Sequence, residues 1–75
     1  MPEKIYSTIG YNIKRFRKLK KMTQPDLAKK LEITPQQLSR YERGEDRAPA
    51  RTLYQLRKIF GVGTDSFFME NNNGK

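Results

Sequence analysis

Gln36, Arg40 and Arg43 stand four and three residues apart in the stretch Thr34-Pro35-Gln36-Gln37-Leu38-Ser39-Arg40-Tyr41-Glu42-Arg43-Gly44. On a helix of about 100° per residue that spacing places all three on one face, opposite Leu38 and beside neither it nor Tyr41. An arginine can donate two hydrogen bonds to guanine O6 and N7, and a glutamine can pair with adenine N6 and N7. The stripe therefore holds the residue types needed to read a DNA major groove. Ser39 and Pro35 lie on its edge, Pro35 offering only an apolar touch to a thymine methyl. The candidate base contacts are Pro35, Gln36, Ser39 and Arg40. A polar stripe is also what any solvated helix shows, so its meaning depends on the elements that hold it.

Those elements are two short helices joined by a tight turn, expected at about 24 to 31 and 35 to 43. Thr23 precedes Asp26 by three residues and Thr34 precedes Gln37 by three, so each helix start resembles a capping box. Pro25 and Pro35 fall in the first turn, where a missing N–H costs nothing. Leu27, Ala28 and Leu31 form the apolar side of the first, Leu38 and Tyr41 that of the second, and Gly44 ends the pair in a left-handed position. Thr23 and Gln24 at one N-terminus and Thr34 at the other stand where free N–H groups and the helix dipole favour an anion such as a DNA phosphate. Arg43, Arg47 and Arg51 bracket the following loop and complete the phosphate-binding candidates.

The 75 residues make one domain, near the lower limit for a core without metal or disulfide support. Cys and His are both absent, which rules out a disulfide framework, a thiol nucleophile, a zinc finger and imidazole catalysis; no metal site or cofactor is expected. No window is apolar enough to span a membrane and no signal peptide opens the chain, so a soluble cytoplasmic protein is expected. Sixteen Lys and Arg against eight Asp and Glu give a net charge of +8. Residues 1 to 22 carry +6 of it, on Lys4, Lys14, Arg15, Arg17, Lys18, Lys20 and Lys21 against Glu3 alone. Such a field draws polyanions, nucleic acid first and an anionic membrane second.

Periodicity predicts five helices and no strand. Helix one runs from Ser7 to about Lys20 with Ile9, Ile13 and Phe16 inward and Leu19 on the flank; residues 1 to 8 form an arm leading into it. Leu53, Leu56 and Phe60 mark a fourth helix from about Ala50 to Gly61, and Phe67-Phe68-Met69 a short fifth. Residues 9 to 69 form the domain, and 70 to 75 a disordered tail. Phe67, Phe68 and Met69 are more apolar surface than so small a monomer can easily bury, which makes them candidates for a dimer interface. Arg17 and Glu42 follow the buried Phe16 and Tyr41 by one residue each, at the margin of the contact between helices one and three, and should pair there.

The run Ile9-Gly10, Ile13, Phe16-Arg17, Met22-Thr23-Gln24, Leu27-Ala28, Leu31, Ile33-Thr34, Leu38-Ser39-Arg40-Tyr41-Glu42-Arg43-Gly44, Leu53, Leu56 and Phe60-Gly61-Val62 resembles the Cro and phage-repressor (XRE-type) helix-turn-helix family over about residues 9 to 68. The resemblance implies a compact all-α, five-helix domain that binds operator DNA as a dimer, with its recognition helix in the major groove. It implies a phosphate contact at Gln24, base contacts at Pro35, Gln36 and Arg40, and an internal ion pair of Arg17 with Glu42. Three departures stand out. Lys21 and Glu32 replace glycines common at helix ends, at about 1 kcal/mol each if their geometry is left-handed. Arg57 replaces a small inward residue and needs an acidic partner or a snorkelling stem. Pro35 replaces a position often polar, leaving base preference to Gln36 and Arg40.

The function expected is sequence-specific binding of double-stranded DNA for transcriptional regulation, most simply repression by a homodimer. The alternative is an antitoxin or adaptor module of the same fold whose main partner is a protein. An enzyme has little support, because no carboxylate pair or nucleophile has the neighbours catalysis needs. Membrane binding is disfavoured too, since helix one requires its apolar stripe for the core.

Overall fold

A computed structural model describes residues 2–70, with side chains from Lys4 onward; residues 71–75 of the expected tail lie outside the described part. Four α-helices follow one another, α1 Pro2–Leu19, α2 Gln24–Leu31, α3 Pro35–Glu42 and α4 Ala50–Phe60, and a 3-10 turn spans Thr64–Phe68. The described residues contain no strand. The expected fifth helix is thus a single tight turn. Its Ser66 N–H reaches the Gly63 carbonyl at 3.0 Å, and five residues are too few to propagate an α-helix.

The core joins Ile9 and Ile13 of α1, Leu27, Ala28 and Leu31 of α2, Leu38 and Tyr41 of α3, and Leu53, Leu56 and Phe60 of α4, closed by Phe67. Phe16, Phe60 and Phe67 meet with ring centroids 5.6 to 6.4 Å apart, Phe67 edge-on to Phe16, an arrangement aromatic quadrupoles favour. Arg15 lies over the outer face of the Phe16 ring at 4.6 Å.

Several expectations are corrected. Helix one starts at Pro2, five residues before Ser7, so residues 2–8 of the stretch expected to be an arm are already helical. Proline fits there because a first helical turn needs no N–H from it. Leu19 is 67% exposed and flanks no core. Helix three ends at Glu42, one residue early, and Gly44 takes the left-handed conformation at φ +74°. Arg57 points to solvent rather than inward, so the departure noted for it needs neither partner nor snorkelling. Lys21 and Glu32 adopt φ of +57° and +60°, and the family's helix-end turns survive with non-glycine residues in them.

Two long-range contacts lacked any local signature. Gly10 lies on α1 where its backbone meets the end of α3: a Cβ there would overlap the carbonyl oxygen of Tyr41 and come within 2.6 Å of that of Glu42. Asn12, 1% exposed, donates from Nδ2 to the carbonyls of Phe67 and Met69, each at 2.9 Å. One amide thereby satisfies two carbonyls of the closing segment and fixes it to α1. Gly10→Ala should lower stability by about 2 kcal/mol, seen as a fall of about 10 °C in Tm, because neither helix can yield without opening the core.

Candidate nucleic-acid interface

Local chemistry sets both helices of the pair. At α2 the Thr23 hydroxyl accepts from the Asp26 N–H at 3.1 Å and the Asp26 carboxylate accepts from the Thr23 N–H at 3.0 Å, a complete capping box. That backbone bond, reinforced by the Thr23 side chain, holds the Asp26 carboxyl below the usual carboxylate range. At α3 the Thr34 hydroxyl accepts from the Gln37 N–H at 3.0 Å, but the box is incomplete. The Gln37 amide turns forward and donates to Asp46 at 3.0 Å. Since Pro25 and Pro35 lack an N–H, no capping bond meets the backbone N–H groups of Gln24 and Gln36, nor that of Thr34, which the incomplete box leaves unmet.

The expected stripe is present. Gln36, Arg40 and Arg43 are all exposed, as is Pro35, while Ser39 is half-buried. The opposite face of α3 is closed by Leu38, fully buried, and by Tyr41 and Glu42. Arg43 is less free than its exposure suggests. Its Nε and Nη2 donate to the two carboxylate oxygens of Glu45 at 2.8 and 3.1 Å, and its Nη1 donates to the Ser39 hydroxyl. The pairing lowers the Glu45 carboxyl and raises the Arg43 guanidinium from their ordinary ranges, and the nearby Arg40 charge lowers Glu45 further.

Behind the stripe lies the expected pair. Arg17 Nε donates to Glu42 Oε2 at 2.7 Å and Nη2 to Oε1 at 3.2 Å, with the two side chains 8% and 2% exposed. Arg17 Nη1 caps the Met22 carbonyl at 2.8 Å, and Gln24 Nε2 donates to Glu42 Oε1 at 2.9 Å. Glu42 thus gathers α1, the α1–α2 turn and the start of α2 onto α3. Gln24, expected as a phosphate contact, is half-buried with its amide nitrogen committed to this network, and its backbone N–H has no capping partner. That double role was not expected from the sequence, which gives no local reason for Gln24 to meet a residue eighteen positions away.

Thr23 and Thr34 sit exposed at the two helix starts. Arg47 and Arg51 are exposed as well, yet no hydrogen bond or ion pair among the described residues ties either one to α3. Arg47 borders an apolar groove of about 480 Å³ lined also by Ile5, Tyr6, Pro49, Leu53 and Phe68. The three apolar residues at the C-terminal end divide. Phe67 is fully buried and is core, so it is withdrawn from the candidate interface, whereas Phe68 and Met69 remain 43% and 59% exposed.

A capped helix pair locked through an ion pair onto a preceding helix, with its polar stripe outward, is a helix-turn-helix domain. The family model described as helix-turn-helix matches residues 13–67, most of the chain, which belongs to this XRE-type family of transcriptional regulators. It is 32% identical over 66 residues to an uncharacterized transcriptional regulator in the ATPase CF(0) region of Rhodospirillum rubrum, covering 88% of this chain and 61% of that protein. To the uncharacterized HTH-type transcriptional regulator YqaE of Bacillus subtilis it is 36% identical over 64 residues, covering 85% and 55%. The chain thus spans little more than half the length of these relatives. The crystal structure of the clp gene regulator ClgR from C. glutamicum shares the fold with a TM-score of 0.77 at 24% identity, over 84% of this chain and 82% of that one. The names of these relatives are those of regulators, in agreement with the sequence reading.

Glu42→Ala strands the Arg17 charge without its carboxylate in a buried site and should cost about 3–5 kcal/mol in urea unfolding. Replacing Arg17 and Glu42 together by Met and Leu should recover most of that loss.

Proposed function

We propose that the chain binds double-stranded DNA sequence-specifically in the cytoplasm and represses transcription, inserting α3 into the major groove. The observation that carries this reading is the outward stripe of Gln36, Arg40 and Arg43 on a helix whose other face is fixed by the core and by the Arg17–Glu42 pair. Three potential donors of base-reading type are thus presented on a rigid mount, with no buried role of their own. Gln36 and Arg40, with Pro35 and Ser39 at the edge, read base edges. The Gln24 N–H and the capped helix starts at Thr23 and Thr34 face phosphates, and Arg43, Arg47 and Arg51 extend the cationic margin. No helix among the described residues is long and apolar enough to cross a membrane.

If roughly six phosphates are neutralised per protomer, log affinity should fall with log salt at a slope of about −5. Gln36→Ala and Arg40→Ala should each cost about 1–3 kcal/mol on a duplex selected from a random pool and relax preference at one base pair. Binding that ignores sequence at every salt concentration sinks specific recognition.

A homodimer follows the same reading, since two copies would read two half-sites about one helical turn apart. Phe68 and Ile5, 43% and 46% exposed, both line the groove, and the exposed Met69 follows Phe68 in the chain, apolar surface of the kind that marks contact surfaces. Sedimentation at micromolar concentration should give a dimer for the wild type and a monomer for Phe68→Glu. A monomer in both samples excludes this interface.

A further inference from the structure

The loop after α3 carries two carboxylates, Glu45 and Asp46, at the margin of a surface read above as DNA-facing. They contribute little to folding: the Arg43–Glu45 pair is 56% and 54% exposed, and surface pairs of this kind stabilise a fold weakly. On Coulomb grounds alone both should weaken attraction to phosphate. Yet the backbone fixes them there. Gly44 takes its left-handed turn against Ser7, where a Cβ would come within 2.7 Å of the serine hydroxyl. Beyond it the N–H groups of Glu45 and Asp46 both point to the Arg40 carbonyl, at 2.9 and 3.4 Å. Glu45 is therefore delivered to Arg43 by a constrained turn and not by a floating loop.

The consequence lies in how the guanidinium is occupied. Of its five N–H groups, Glu45 takes those on the Nε and Nη2 edge and Ser39 takes one on Nη1. One N–H on each terminal nitrogen remains. Both stay available to acceptors on the duplex, guanine O6 and N7 or phosphate oxygens. An arginine on a free stem loses rotamer freedom when it makes such a contact, whereas one already clamped by a carboxylate and a hydroxyl has lost much of it beforehand.

We infer that Glu45 is a positioning residue for Arg43, holding its guanidinium with two donors left for acceptors on the duplex. This rests on the DNA reading proposed above. It contradicts the simple electrostatic expectation in sign: removing the Glu45 charge weakens binding instead of tightening it.

The test is fluorescence anisotropy on a duplex selected by the wild-type chain and on single-base variants of it, for Glu45→Gln, Asp46→Asn, Arg43→Gln and the Arg43→Gln/Glu45→Gln double variant. Asp46→Asn makes the same change of charge one residue away without touching Arg43 and keeps an amide oxygen as acceptor for Gln37 Nε2, and so serves as the Coulomb control. Glu45→Gln should weaken the selected duplex roughly tenfold, the low end of what one bidentate arginine contributes. Asp46→Asn should leave it unchanged or tighter, and Glu45→Gln should have no effect once Arg43 is Gln. Loss of guanine preference at one base pair identifies a base as the acceptor; equal loss on all variants identifies a phosphate. Unchanged melting temperatures for all four variants confirm that the fold is not the cause. If Glu45→Gln tightens binding in step with Asp46→Asn, or weakens it equally in the Arg43→Gln background, the positioning role is refuted while DNA reading stands. A wild-type chain that binds no duplex removes the DNA reading and this inference together.

Discussion

The closest constraint in the molecule is the passage of α1 across the end of α3 at Gly10, where no side chain fits between the two backbones. Once the helices are that near, Arg17 two turns further along α1 reaches Glu42, and Glu42 draws in Gln24 from the start of α2. The orientation of α3, and so of everything on its outer face, follows from this one approach. A larger residue at position 10 would not simply lose packing; it would rotate or displace the helix that carries the stripe. Burying an ion pair offers little net stability against an apolar alternative, so its value here is directional, since a guanidinium fork and a carboxylate meet well in few geometries.

The parts legible in the sequence are those decided within a few residues. The threonine caps, the prolines of the first turns, the glycine at 44 and the apolar stripes of α2, α3 and α4 all depend on neighbours three or four positions away, and the structure shows them close to where they were expected. The Arg17–Glu42 pair was also legible, because each residue follows a core position by one and the margin of a helix contact leaves few alternatives. Asn12 was not. A polar residue between Tyr11 and Ile13 reads as solvated surface until the chain returns, fifty-five residues later, with two carbonyls to be met.

The errors share a physical origin. Spacing puts Leu19 on the flank of the apolar stripe, but α1 ends there and the residue is left 67% exposed. Phe67 and Phe68, indistinguishable by type, are sorted by the 3-10 turn, which sends one into the core beside Phe16 and Phe60 and leaves the other outside. Gln37 had a local task in the capping box and took a distal one with Asp46. At the candidate interface the same limit applies: the stripe could be drawn on a wheel, but the grip of Glu45 on Arg43 depends on a left-handed turn between them that only the folded chain reveals.

The clamp that Asn12 makes on the carbonyls of Phe67 and Met69 bears on how the domain comes into being. α1 is made before the rest of the core, yet the carbonyls that its buried Asn12 meets, and one of the two aromatic partners of its Phe16, arrive only with the last turn of the core. While the chain is still emerging from a ribosome, α2 and α3 exist with α1 but without the segment that closes it. The surface that carries Gln36 and Arg40 therefore gains its full rigidity only once Phe67 and Met69 have emerged, and a chain cut before them lacks the mount that its stripe requires.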